Sequence, residues 1–322
     1  MSGKSRTPLI VASRTLEKIL SQAYRVENLE LLSGQSRTVV YVGRGPNGRG
    51  CHLAHYTVWK FAADIAKCLR AQMHFMISDD EKEKGITHEG VVSQISRLLH
   101  FLGRRTEDTV LFRNTRNKSV LYTVASHTLS KHARIGSVMS LLGVGKGQSV
   151  FNLVYTLVQS APVLINNERG IHTVIVSGLD QKPHLDFCQQ LMRSLGKNPP
   201  TVVYTRTIPP LTGHHQKMTA SRPKGVLYLN DSPEDVSRVI KSAVSGAPKT
   251  LSELRTCGVD ESQDRPLRIA ESLGLLVEES RLYRRGVIGS LEFKSALTRE
   301  VNTLFGRIKQ HVGVVSQGLL PR

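Results

Sequence analysis

Residues 39–55 read VVYVGRGPNGRGCHLAH. An apolar, β-branched run stops at Gly43-Arg44-Gly45-Pro46-Asn47-Gly48, which fits G-x-G-x-x-G, and a helical repeat comes next. Strand, glycine turn and helix make the unit from which phosphate-binding α/β folds are built. A dinucleotide fold also needs an acid about 20 residues on, at the end of the second strand. At that spacing stands Asp64, inside the repeat Val58, Phe61, Ala62, Ile65, Ala66, Leu69 that predicts a helix. Pro46 also lacks the N–H that such a loop turns toward phosphate. No Lys-Ser/Thr pair stands after the glycines, so a P-loop is excluded as well.

The residues just beyond the glycines are more informative. His52-Leu53-Ala54-His55 places two imidazoles three residues apart at the mouth of the predicted helix. Both can donate to phosphate where the helix dipole already favours an anion. Two histidines on one solvated helix face are the plain alternative. A metal site from Cys51, His52 and His55 lacks a further ligand cluster at suitable spacing. A second phosphate-directed element lies at 216–221, QKMTAS, after Gly213-His214-His215. A lysine in such a loop brings an ammonium group to a phosphate chain, where negative charge develops on a leaving pyrophosphate.

Working outward, MHFMIS (73–78), IHTVIVSG (171–178) and TVVYTRT (201–207) read as further strands. The pattern Leu185, Cys188, Leu191, Met192, Leu195 gives a helix between the last two. Strands alternating with helices and few hairpin turns predict a parallel sheet covered by helices, with its ligand site at the carboxyl ends of the strands. Residues 88–103 and 124–142 also look helical, joined by a basic connection of Arg104, Arg105, Arg113, Arg116 and Lys118. Near 232 the character changes. Ser232-Pro233-Glu234-Asp235 is a helix start with a cap, an early proline and acids in the first turn. Phe293, Leu297, Val301, Leu304 and Ile308 form one apolar helix face, and no strand of comparable quality lies beyond Leu229.

The chain has 322 residues, 39% of them hydrophobic, enough for a full core and more than one domain. No run approaches the roughly 18 apolar residues of a membrane helix. Cys51, Cys68, Cys188 and Cys257 form no C-x-x-C pair and read as reduced intracellular thiols. Lys and Arg total 44 against 26 acids, a net charge of +18, which points to a polyanionic partner such as nucleic acid. Residues 281–322 carry Arg281, Arg284, Arg285, Lys294, Arg299, Arg307, Lys309 and Arg322 against Glu292 and Glu300, consistent with an RNA-facing surface. The acid-free segment MSGKSRTPLIVASRTL (1–16) has the composition of a mitochondrial targeting segment and equally of a basic tail.

Together these motifs resemble the class I aminoacyl-tRNA synthetases, in particular the tryptophanyl-tRNA synthetase family of eukaryotic and archaeal type. YVGRGPNG is similar to that family's Y-x-G-R-G-P segment, HLAH to H-x-G-H, and SDDEK (78–82) to T-D-D-E-K. QSAP (159–162), GLDQKP (178–183) and KMTAS (217–221) resemble Q-A-A-P, G/A-x-D-Q-x-P and K-M-S-A-S. YLNDSPEDVSRVIKSAVSGAP (228–248) is similar to the lead-in to the family's anticodon-binding helices, and order and spacing agree over about 38–310.

The resemblance implies an α/β fold: a Rossmann-like parallel sheet with helices on both faces, then an all-helical C-terminal domain. Its expected boundaries are a short extension at 1–37, a catalytic domain at 38–229 with a helical insertion at about 84–165, and an anticodon-binding domain at 230–322. The implied activity is a tryptophan–tRNA ligase that forms tryptophanyl-adenylate and transfers the aminoacyl group to tRNA(Trp). ATP enters as its Mg2+ complex, and no tightly bound cofactor and no protein-held metal are expected. His52 and His55 then hold the triphosphate, and Lys217 stabilises the leaving pyrophosphate. Gly43, Gly45, Ala54, Gly178, Asp180, Met218 and Ser221 complete the ATP site. Tyr41, Met76, Ser78, Glu81, Gln159 and Gln181 surround the amino acid. A cytoplasmic homodimer is implied, with the mitochondrial matrix as the alternative.

Three departures bear on activity. Ala54 stands at the glycine of H-x-G-H, where a methyl must shift the adenine or weaken its binding. Met76 replaces a glutamine that accepts the indole N–H, and a thioether accepts weakly. The family's usual N-terminal extension is short, since only about forty residues precede the sheet. His215 also stands where an amide is expected beside the lysine loop. The alternative is a catalytically inactive synthetase-like chain kept as an RNA-binding or ribonucleoprotein component.

Overall fold

The run stopped by Gly43 is an interior strand of a six-stranded sheet. A computed structural model describes residues 7–33, 35, 37–45, 50–80, 88–105, 107–142, 150–213, 218 and 224–311. The strands are β1 (Arg25–Glu27), β2 (Thr38–Arg44), β3 (Gln72–Ile77), β4 (Thr109–Arg113), β5 (His172–Gly178) and β6 (Thr201–Thr205), in the order β1-β6-β5-β2-β3-β4. All pairings are parallel except β1 with β6. Covered on both faces, the inner strands are mostly apolar: Val39, Val40, Val42, Met73, Phe75, Val174 and Val176 are buried, with His74, His172 and Thr173 among them.

Helix α1 (Thr7–Leu20) packs on α2 (Leu53–Leu69), which fills one face of the sheet with Tyr56, Trp59, Ala62, Ile65 and Ala66. Asp64 lies within α2 and pairs with Lys60 at 2.8 Å, so it is nowhere near a strand end. The next helices are α3 (His88–Phe101) and α4 (Lys118–Thr123), the latter continuing through a π-helical turn at Val124–Leu129 into α5 (Ser130–His132). Then come α6 (Ile135–Leu142), α7 (Val150–Glu168) and α8 (Lys182–Ser194).

Two strands differ from expectation. Thr109–Arg113 is β4, although 104–118 reads as a basic connection; its buried Leu111 and Phe112 are too few to stand out among arginines. Arg104 is itself buried, and its guanidinium donates to the carbonyls of Ala71 (3.2 Å) and Asp108 (2.8 Å). Residues 25–27, within the expected N-terminal extension, complete the sheet as an antiparallel edge. Glu27 is held there by Gln189 Nε2 (2.8 Å) and Lys182 Nζ (3.3 Å), both on α8.

The described C-terminal part is helical: α9 (Pro233–Lys241), α10 (Leu251–Cys257), α11 (Arg265–Leu273), α12 (Val277–Arg284) and α13 (Ser290–Gln310). Ser232 caps α9 by accepting Asp235 N–H at 3.1 Å. The face Phe293, Leu297, Val301 and Ile308 of α13 is buried. Several basic residues here have acceptors within the chain. Arg281 pairs with Glu278, and Arg284 with Glu261 and Glu271. Lys294 is buried and donates to the carbonyls of Ala243 (2.7 Å) and Lys241 (3.2 Å), while Lys309 donates to Asp231 O (2.7 Å). Arg285, Arg299 and Arg307 remain at least partly exposed, and Arg322 lies outside the described residues. No described helix is long and apolar enough to cross a membrane.

Candidate active site

A cavity of about 460 Å³ opens where β2, β3, β5 and β6 end, as a parallel α/β sheet requires. Every site residue expected from the sequence that falls among the described residues lines it: Tyr41, Gly43, Gly45, His52, Ala54, His55, Met76, Ser78, Gln159, Gly178, Asp180, Gln181 and Met218. Glu81, Lys217 and Ser221 lie outside the described residues, as do Pro46 and His215.

The end of β2 is built for close approach. A Cβ on Gly43 would stand 3.3 Å from Met76 O, the partner strand's backbone. Arg44 is buried and turns back on its own loop, donating to Gly50 O (2.7 Å) and Cys51 Sγ (3.0 Å). Cys51, a conceivable metal ligand by sequence, thus receives a guanidinium. Gly50 has φ +114°, and a Cβ there would fall 2.4 Å from Gln94 Oε1, which accepts Cys51 N–H at 2.9 Å. Only glycine satisfies both constraints. On the other side, Leu53 N donates to Leu227 O and Leu229 N to Cys51 O, each at 2.9 Å. The chain entering α2 is therefore pinned from both flanks.

His52 is the extended N-cap of α2, and His55 occupies its third position. Their rings stack at 3.7 Å between centroids, and His55 continues onto the Trp59 ring at 5.5 Å. His52 N–H donates to His55 Nδ1 at 3.2 Å, so a neutral His55 carries its proton on Nε2, as a donor. The first turn of α2 adds backbone N–H groups and the positive end of the helix dipole. An anion fits this mouth. Ala54, between the two histidines, is half-buried and brings its methyl to the same cavity.

At the end of β5 the chain forms a short 3-10 turn, Leu179–Gln181. Asp180 Oδ1 folds back to 2.6 Å from where a Cβ of Gly178 would stand, so Gly178 makes room for that carboxylate. Gln181 Nε2 donates to Asp180 Oδ2 at 2.6 Å. Opposite, the acids Asp79 and Asp80 are engaged by the fold: Asp79 accepts Thr115 N (2.9 Å) and Oγ1 (2.6 Å), and Asp80 accepts Asn114 Nδ2 (2.8 Å) and Tyr122 Oη (3.3 Å). They brace the end of β3 that carries Ser78. Met218, fully buried, donates its N–H to Ile208 O at 2.7 Å.

At its inner end the cavity holds Tyr41, whose hydroxyl donates to Met76 Sδ at 2.9 Å, with Gln159 and Ser160 from α7 and His184 and Cys188 from α8. Burial pushes the Cys188 thiol up to about 12 and holds His184 below the usual imidazole value. His184, Cys188 and Trp59 line the cavity although no sequence signal marks them as site residues, and Arg44 lines it as well. By spacing alone Cys188 belongs to a core face of α8. Arg44 is written in the glycine stretch, but its inward turn depends on Gly50 and Cys51.

A nucleotide-type parallel sheet with a histidine-bearing helix mouth opening on a cavity at its strand ends is the arrangement of the class I aminoacyl-tRNA synthetases. Residues 33–306 match the family "tRNA synthetases class I (W and Y)", and the chain belongs to it. Among its relatives is a tryptophan–tRNA ligase of Saccharolobus solfataricus, 25% identical over 82% of this chain and 71% of that protein. The tryptophanyl-tRNA synthetase of Plasmodium falciparum superposes with a TM-score of 0.78 at 20% identity, covering 96% of this chain and 90% of the other. The tyrosyl-tRNA synthetase of Aeropyrum pernix gives 0.76 at 18%, covering 92% and 94%. At those identities the two structures attest the fold alone.

Proposed function

We propose that this chain is a tryptophan–tRNA ligase, forming tryptophanyl-adenylate from tryptophan and the Mg2+ complex of ATP and passing the aminoacyl group to tRNA(Trp). The observation that carries this reading is the continuity of the cavity. The His52–His55 helix mouth, the Gly178–Asp180 turn and Tyr41, Gln159 and Cys188 all line this one cavity. ATP fits with its triphosphate on the two imidazoles and its ribose on Asp180. The amino acid then lies with its ring in the recess and its carboxylate toward the α-phosphate. Gln181, tied to Asp180, suits the amino group.

In this arrangement the carboxylate attacks the α-phosphate and pyrophosphate leaves. His55 Nε2–H, His52 and the N–H groups of α2 hold the charge of the departing chain, and Lys217 adds an ammonium as that charge grows. The helix mouth is held rigid by Gln94, Arg44 and residues 227–229, so little reorganisation is needed at the moment of reaction.

Tryptophan-dependent exchange of pyrophosphate into ATP tests the reading. Exchange is expected, and Lys217→Ala should abolish it; no exchange with tryptophan alongside tight RNA binding would sink the enzyme in favour of the RNA-binding alternative. A homodimer belongs to the same proposal. Ile135, Val150 and Phe151 of α6 and α7 are 68%, 74% and 45% exposed, apolar side chains available to a second copy. Sedimentation should give a mass near twice 35.7 kDa, and Phe151→Lys should shift it toward the monomer.

A further inference from the structure

His100 and His311 are 211 residues apart in sequence, yet their Nδ1 atoms meet at 3.2 Å. His100 lies in the last turn of α3 and His311 caps the C-terminus of α13, so the pair joins two helix ends. The two rings cross at 62°, and Phe101 meets the His311 ring edge-on at 5.2 Å. Neither histidine lines the cavity at the strand ends. Two neutral imidazoles share a hydrogen bond here only if one ring carries its proton on Nδ1. The same placement suits a shared cation. Two nitrogens bound at 2.0–2.1 Å to one tetrahedral ion lie about 3.3 Å apart, close to the spacing of this pair. The last carbonyls of a helix lack intrahelical partners, and its dipole puts negative charge there, so two converging C-termini favour a positive ion. Both rings are half-buried, held by the packing of α13 on α3 and still within reach of water. Of the cations near the pair in sequence, Arg104 donates to the carbonyls of Ala71 and Asp108, and Lys309 to that of Asp231. Arg97 and Arg307 keep contact with solvent, which screens them.

We propose that His100 and His311 form a site for one divalent transition-metal ion of the class that imidazole suits, with zinc as its representative, clamping the end of α13 to α3. On binding, the ring with its proton on Nδ1 moves it to Nε2, so both Nδ1 lone pairs face the ion. Water fills the remaining positions, since no group of three or more His, Cys, Asp or Glu suited to a metal occurs among the described residues. With two protein ligands the ion is exchangeable, and it stabilises a junction rather than supplying chemistry. The junction matters because α3 also carries Gln94, the acceptor of Cys51 N–H beside the glycine loop. The proposal stands independently of the tryptophan reading.

Titration calorimetry of the untagged full chain with ZnCl2 should show one equivalent of zinc that is absent from His100→Asn and from His311→Asn. Asparagine sets an amide near the Nδ1 position, so a hydrogen bond between the helices is kept while the metal ligand is lost. His127→Asn, which removes an exposed histidine outside the pair, should retain that equivalent. At free zinc ten times the dissociation constant, the wild-type thermal midpoint should rise by about 2 °C, a rise that both pair variants lose. Equal zinc stoichiometry in the wild type and both pair variants overturns the proposal, as does a wild type that takes up no zinc. If neither variant folds, a zinc-edge anomalous map of a soaked wild-type crystal decides. A peak about 2.1 Å from both Nδ1 atoms supports the clamp, and no peak there overturns it.

Discussion

One methyl group, that of Ala54, lies on the wall of the candidate ATP site, at a residue between His52 and His55 in sequence. The sequence alone marks it, because HLAH differs from H-x-G-H at that residue. Ala54→Gly should lower the KM for ATP in the exchange reaction by about tenfold, equivalent to roughly 1.4 kcal/mol, if the methyl crowds the base. The change also removes a good helix former, so a slightly lower melting temperature is expected. An unmoved KM would show that adenine passes clear of the methyl. Met76 is legible in the sequence as a substitution but not as a partner. That its sulfur receives the Tyr41 proton depends on the register of β2 against β3, which no single-chain pattern specifies. Arg44 is the reverse case: its letter lies in the glycine stretch, yet its inward turn onto Gly50 and Cys51 depends on a glycine at φ +114°.

Elements with a strong period are readable from sequence, and short ones are not. The strand stopped by Gly43, the helix after His52 and the face of α13 are set by spacing and appear where expected. β1 has three residues and β4 five, too few for a period to declare itself, and both are flanked by charge. Their pairing energy comes from neighbours distant in sequence: Tyr204 for Arg25, Phe75 for Leu111. The start of α9 is legible because a cap is local chemistry. Ser232→Ala removes the acceptor of Asp235 N–H and should cost about 1 kcal/mol, seen as a lower urea midpoint with an unchanged slope. No shift in midpoint would mean that the turn is held by Lys309 on Asp231 O and by packing against α13 instead.

Across the whole molecule, the net charge of +18 is plain from the sequence, but its distribution is not. Lys294 is buried and Arg284 is half-buried against Glu261 and Glu271, so fewer C-terminal cations face outward than the count implies. Two histidines buried in the sheet set a pH dependence. His74, beside Gln72 and the edge of Phe112, is held by burial at about 4 against an ordinary 6.5, and His172, hydrogen-bonded to Thr201, is lowered for the same reason. The fold favours their neutral forms. Their contribution is therefore complete above pH 6.5 and lost as the pH falls from there toward 4, by up to about 3 kcal/mol for His74. Thermal midpoints measured across that window should fall, and His74→Gln should flatten the fall; a flat wild-type profile would contradict it. Sequence by itself determined the class of fold and the order of its motifs, and it nominated candidate residues for ATP, because glycine turns, helix mouths and strand periods are local properties of the chain. Tertiary structure alone decided that those motifs share one cavity, that β1 and β4 close the sheet, and which cations and polar groups are already spent. Those outcomes depend on contacts between residues far apart in the chain, where burial and hydrogen-bond geometry, rather than local propensity, set the energy.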